Sequence, residues 1–205
     1  KPSFLIVNHD TEVNILLDET AYKVPIGHKL RIAISTSYWP FVWPSPLQSN
    51  IKIKYGKIDV PILLNPSKVD EYSFEDPEAS DKWSHEVLRK GSYNRVIEDN
   101  YGNDNVLIKI TSDAGRSKDL NHGLVTDQTT RECWTINKND NLSAKGSITW
   151  NQEISRNEWE VFIETSCNMS ADESNFYIEA SINAKEGLKT VFEKDFSYVI
   201  PRTFV

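Results

Sequence analysis

A chain of 205 residues is long enough for one well-packed core and marginal for two. Its 39% hydrophobic content, with six Trp, eight Tyr and eight Phe, excludes a disordered chain, and a formal charge of −7 argues against nucleic acid or an anionic membrane surface as the main partner. No apolar run approaches the ~20 residues that a membrane helix needs. The start at Lys1-Pro2-Ser3, without Met or a charged-then-apolar leader, reads as a processed chain or a piece of a longer one.

Taken in order, strand patterns dominate. Residues 12–18, 29–36, 51–55 and 57–63 are predicted as the first four strands, with Gly56 placed where a hairpin needs φ > 0. Residues 29–36 alternate, with Leu30, Ile32 and Ile34 on one face and Arg31, Ala33 and Ser35 on the other. The next stretch, Ser37-Tyr38-Trp39-Pro40-Phe41-Val42-Trp43-Pro44-Ser45-Pro46, cannot continue as a strand, because three prolines remove ladder donors. It packs a Tyr and two Trp into a rigid turn, and so much aromatic surface calls for cover. Three readings of that turn stand: filler under the domain's own core, a contact surface for another domain, or a stacking platform for a sugar.

Residues 64–82, rich in Pro, Ser, Asp and Glu, read as loop. Further strands are predicted at 93–98, 105–111, 132–137, 147–151, 158–166, 175–183 and 188–196, the last hairpin turning at Lys185-Glu186-Gly187. Helical periodicity is scarce, and the run from Ser112 to Leu120 is short and broken by Gly115. Many short strands with turn signals between them indicate an all-β antiparallel sandwich in one domain, residues 1–205.

The motif Gly27-His28-Lys29-Leu30-Arg31-Ile32-Ala33-Ile34-Ser35-Thr36-Ser37-Tyr38-Trp39-Pro40, followed by Trp43-Pro44-Ser45-Pro46, resembles the C-terminal, non-catalytic β-sandwich of the X-prolyl dipeptidyl-peptidase and cocaine-esterase family of α/β-hydrolases. So do Val13-Asn14-Ile15-Leu16-Leu17-Asp18 and Ala21-Tyr22-Lys23-Val24-Pro25 near the start. Near the end, Ala184-Lys185-Glu186-Gly187, Val191-Phe192-Glu193-Lys194-Asp195-Phe196 and Ile200-Pro201-Arg202-Thr203-Phe204-Val205 are similar to its closing hairpin and terminus. The resemblance implies a jelly-roll of the galactose-binding type that lacks its first strands here. The missing strands would come from upstream sequence, a second copy or another polypeptide. It also implies an α/β-hydrolase catalytic domain upstream in a cytoplasmic parent enzyme that cleaves esters or post-proline peptide bonds through an acyl-enzyme. This part would brace that domain, wall its cleft and contribute to homo-oligomer contacts. Tyr38, Trp39, Trp43 and Arg202 are the expected domain-interface residues. A free-standing module for a glycan or similar ligand is the alternative.

Catalysis and metals have little support. No Gly-x-Ser-x-Gly elbow occurs, and the nearest approach, Gly115-Arg116-Ser117-Lys118-Asp119, lacks the second glycine. His9, His28, His85 and His122 show no His-x-His or i, i+4 helical pairing, so no metal site or cofactor is expected. Asp99 with Asp104, or the acidic pairs Asp70-Glu71 and Glu75-Asp76, lack a calcium-loop pattern and read as solvated acids. Cys133 and Cys167 are expected as buried free thiols, with a disulfide open if their strands are neighbours, and Asn141-Leu142-Ser143 and Asn168-Met169-Ser170 as ordinary loop or strand-end residues.

Overall fold

The structure, a computed structural model, describes residues 8–63 and 74–203. All regular structure there is β: eight strands in one antiparallel sheet. They are β1 (His85–Arg89), β2 (Ser92–Asn100), β3 (Asn105–Asp119), β4 (Val125–Asn137), β5 (Asp140–Arg156), β6 (Trp159–Ala171), β7 (Asn175–Glu186) and β8 (Lys189–Pro201). From β3 to β8 each strand pairs with the next in sequence, while β1 and β2 share the outer edge of β3. The all-β antiparallel expectation holds, and the described strands form a single open layer.

The seven strands predicted after residue 90 are all present, and most are longer than their hydrophobic cores suggested. Ser112 to Leu120, too short for a helix, continues β3 as far as Asp119. Gly115 is the device that allows it. At φ 80° it sits at a register shift, with Asp113 opposite Thr129 and Gly115 opposite Gln128, so Ala114 is the extra residue of a bulge. A Cβ at Gly115 would come within 2.6 Å of Gly91 N, and one at Gly91 within 2.5 Å of Asp113 O. Two facing glycines therefore let β1 hand over to β2 on one edge. Strand β1 itself escaped the sequence reading, being short and without alternation.

Residues 12–18, 29–36, 51–55 and 57–63 carry strand patterns but form no ladder, and their apolar side chains are exposed. Alternation makes a strand only when a neighbour supplies the other half of its hydrogen bonds. Gly56 has no positive φ and no hairpin around it; Gly27, at φ 85°, does turn the chain, with His28 N donating to Pro25 O at 3.1 Å. Residues 74–82 are loop as expected, and 64–73, with Asp70-Glu71, lie outside the described residues.

Opposed residues in antiparallel strands share a face. One face therefore carries Ile97, Ile108, Trp134, Gly146, Met169, Ile178 and Tyr198 in one row, and Arg95, Ile110, Glu132, Ile148, Cys167, Ala180 and Phe196 in the next. The other carries Val96, Lys109, Cys133, Ser147, Asn168, Glu179 and Ser197, then Asn94, Thr111, Arg131, Thr149, Ser166, Ser181 and Asp195. The first face is mainly apolar, with Glu132 on it accepting from Trp134 Nε1 at 2.9 Å, and the second mainly polar. Among the described residues the buried apolar side chains are Pro44 in the aromatic turn and Ile108 and Ala144 on the apolar face.

Candidate functional site: the aromatic turn on the apolar face

The proline-rich turn is seated on the apolar face. The Trp39 ring meets Trp134 of β4 edge-on at 5.8 Å, and Trp43 meets Phe176 of β7 at 6.0 Å. Trp39 and Trp43 pack against each other at 5.2 Å, again edge to face. Gly146 makes room for this. The Trp134 ring lies across it, so that a Cβ there would stand 2.5 Å from the ring. Gly146, one residue before the predicted strand 147–151, is the floor under the central tryptophan.

Arg202 locks the turn. Its guanidinium donates to Pro44 O at 2.6 Å and Asp172 O at 2.9 Å, and lies 4.8 Å over the Phe176 ring. Its backbone N–H donates to Ser174 O at 2.8 Å. Burial lowers the Arg202 pKa and nearby Asp172 partly opposes this, so the guanidinium is part-desolvated but still a cation. Asp172 organises the β6–β7 turn, accepting from Tyr177 Oη at 2.6 Å and from Ser174 N and Asn175 N at 2.7 Å each. Those bonds, the Tyr177 one foremost, hold its carboxyl below its ordinary value.

Of the four expected interface residues, the structure brings Trp39, Trp43 and Arg202 together against the sheet and leaves Tyr38 outside. Tyr38 is 66% and Phe41 70% exposed, and they stack at 5.1 Å on the outer side of the turn. The indole N–H groups of Trp39 and Trp43 are buried and donate to no acceptor among the described residues. Trp134, Phe176, Gly146 and Asp172 were missed by the sequence reading. Their signal was the parity that puts Trp134 and Gly146 opposite each other, which is invisible until the strands are paired.

The polar face is a field of ion pairs and hydroxyls. Arg89 donates to Asp113 and, at 2.7 Å, to Asp127; Arg116 reaches Glu153 at 2.9 Å; Ser166 and Ser181 share a 2.8 Å bond. The Arg89 bond, with that from Gly115 N, holds the Asp113 carboxyl below its usual range. Cys133 lies on this face and Cys167 on the other, with β5 between their strands; both are free and half-buried rather than buried. Ser117, in the nearest approach to a hydrolase elbow, stands mid-strand opposite Thr126. Asp99 pairs with Lys138 at 2.7 Å and Asp104 accepts from Asn139, so each acid has a protein partner. Asn141 and Asn168 both lie within strands, on β5 and β6. His28 follows the turn at Gly27, His9 is exposed, His85 stacks on Trp83 at 4.1 Å, and His122 Nε2 lies 3.4 Å from Asp119. Trp83 Nε1 donates to Asp119 at 2.8 Å, and that bond leads the lowering of the Asp119 pKa. Among the described residues no group of three or more His, Cys, Asp or Glu is placed to hold a metal ion.

These features define an all-β, two-sided module with an aromatic turn seated on its apolar face. Residues 10–98 match the family model of the X-Pro dipeptidyl-peptidase C-terminal non-catalytic domain, which bears out the resemblance over that span. The matched span takes in the lead-in, the aromatic turn, β1 and most of β2. A non-catalytic C-terminal domain of this kind implies a catalytic domain in a parent protein. No curated protein and no solved structure gives a significant match to the chain.

Proposed function

We propose that this chain is one accessory domain of a cytoplasmic serine hydrolase resembling X-Pro dipeptidyl-peptidases and cocaine esterases, bracing the catalytic domain and walling one side of its cleft. In the parent, the 10–63 segment and the apolar sheet face become the two layers of a galactose-binding-type jelly-roll completed by upstream strands. The observation that carries the reading is the unfinished state of the apolar face. Rows rich in Ile, Trp, Phe and Met are held on one side of a regular sheet, with the aromatic turn seated upon them among the described residues. Large contiguous apolar faces of this kind mark docking surfaces. Two buried indole N–H groups with no acceptor among the described residues, at about 1–3 kcal/mol each, make the seat of the turn marginal until a neighbour supplies acceptors.

The outward Tyr38–Phe41 pair is the surface offered to the catalytic domain. In the full parent enzyme, Tyr38→Ala with Phe41→Ala is expected to lower the thermal midpoint and reduce turnover, while the isolated chain keeps its circular dichroism. Unchanged stability and turnover in the parent would sink the proposal. The same stacked pair is what a glycan-binding module would use, so a glycan array probed with the chain separates the two readings; selective, Tyr38-dependent binding favours the module.

A further inference from the structure

The polar face has two unlike halves. Toward β1 its charges are neutralised internally: Arg89 with Asp113 and Asp127, Arg116 with Glu153, Lys109 with Glu98. Toward β8 the face is left open. Lys145, Asn168, Glu179 and Asp195 make no ion pair or side-chain hydrogen bond among the described residues. Two hollows lie in that open half. One, of about 400 Å³, runs over β6 to β8 and is lined by Ser166, Asn168, Glu179, Ser181, Asp195 and Ser197. The other, of about 330 Å³, runs over β4 to β7, with Cys133, Thr135, Lys145, Ser147 and Tyr177 along it. Asn168 and Glu179 belong to both, so the hollows join into one trough.

Register accounts for the lining. Asn168 stands opposite Glu179, which stands opposite Ser197; in the next row Ser166, Ser181 and Asp195 are opposed in the same way. Directly opposed side chains lie about 4.5–5.5 Å apart and diagonal ones about 7–8 Å. The floor is therefore a grid of short hydroxyls with an amide and a carboxylate at its centre.

We infer that this trough binds a neutral oligosaccharide, with sugar rings in the two hollows and Asn168 and Glu179 between them. The other ligand classes suit the lining poorly. Glu179 and Asp195 repel an anion, and Lys145 in the same trough opposes a polycation. An apolar ligand would strip water from hydroxyls, amide and carboxylates and return no bonds. Sugar hydroxyls both donate and accept, as this lining does. They can donate to Glu179 or Asp195 while accepting from Asn168 or Lys145. Ser166 and Ser181 share a 2.8 Å bond, which uses one of their two hydroxyl protons and leaves the other for a ligand. Tyr177 adds a fixed aromatic wall. Its hydroxyl is committed to Asp172 at 2.6 Å, and its ring is 37% exposed in the second hollow. A ring held in this way offers an apolar patch to the C–H face of a pyranose at little entropic cost. The trough lies across the sheet from the aromatic turn, and the inference does not depend on any catalytic partner.

The test is a ¹⁵N–¹H correlation titration of the full chain with cellobiose, maltose, lactose and chitobiose, and in parallel with spermine. At least one of the disaccharides is expected to shift the amides of residues 145–147, 166–170, 177–181 and 195–197 saturably, at lower concentration than spermine does. Asn168→Ala and Glu179→Ala, both at exposed positions, should each weaken that binding about tenfold with dichroism unchanged. Tyr38→Ala should leave it unaltered. The inference is overturned if none of the four sugars gives a saturable shift, or if spermine binds more tightly than all of them. Shifts centred on residues 38–43, or binding indifferent to both trough variants, overturn it equally.

Discussion

Replacing Gly146 by Ala tests the seat of the aromatic turn most directly, because two effects of opposite sign meet at one methyl group. The new Cβ would lie 2.5, 2.8 and 3.3 Å from three carbons of the Trp134 ring, where carbon atoms settle at about 3.5–4.0 Å. The ring must therefore withdraw by about 1 Å, away from its edge-on contact with Trp39. Overpacking of this kind costs about 1–3 kcal/mol, and weakening the aromatic pair adds to it, within a range of about 0.5–1.5 kcal/mol. Against this, Ala in a strand interior is better than Gly by about 0.5–1 kcal/mol. In the natural chain the clash wins, and Gly146→Ala should destabilise by about 1–3 kcal/mol. In a Trp134→Ala background the clash is gone, and the same substitution should stabilise by about 0.5–1 kcal/mol. Urea unfolding of the four-member cycle, followed by far-ultraviolet dichroism so that the lost tryptophan does not bias the signal, reads both values. A substitution with the same sign and size in both backgrounds would refute the packing argument.

Three further outcomes follow from the same geometry. Gly115→Ala puts a Cβ against Arg89 O and Gly91 N at a φ of 80°, and should cost about 1–3 kcal/mol; hydrogen exchange should quicken first at residues 85–91. Asp113, Asp119 and Asp172 have folded pKa values depressed below 3.8, so their contribution is present above that value and is lost as pH falls through the folded pKa. The urea midpoint should therefore fall below about pH 4, and Asp113→Asn with Asp172→Asn should flatten that acid limb. Arg202→Met removes the bonds to Pro44 O and Asp172 O while keeping most of the stem. It should leave the sheet's dichroism intact and shift tryptophan emission to the red as the turn loosens.

What the sequence made legible was local. Alternation in 93–98, 132–137 and 175–183 found strands because each already shows the two-residue period that a pleated sheet needs. The same period at 12–18 and 29–36 yields no ladder, since pairing depends on a neighbour that a one-dimensional pattern does not contain. Tyr38, Trp39, Trp43 and Arg202 were picked out as domain-interface residues; three of them pack on this chain's own sheet and Tyr38 faces out. Their partners Trp134 and Phe176 were not, because register across four strands decides which aromatic rises beneath them. Gly115 looked like a helix breaker and is a bulge; the single letter carries its backbone freedom but not the use made of it.

The order of the strands has a kinetic consequence. From β3 onward every described strand touches only its ladder neighbours, and all but the first hairpin close between consecutive strands. Such local contacts need little chain closure, so the sheet can zip up one hairpin at a time during synthesis. The Arg202–Pro44 bond spans 158 residues and can form only after β8 has emerged. Until that bond forms, the turn is held only by its ring contacts to Trp134 and Phe176, which earlier strands supply. The clamp thus works as a completion step: it fixes the carbonyl of Pro44 once the last strand is in place.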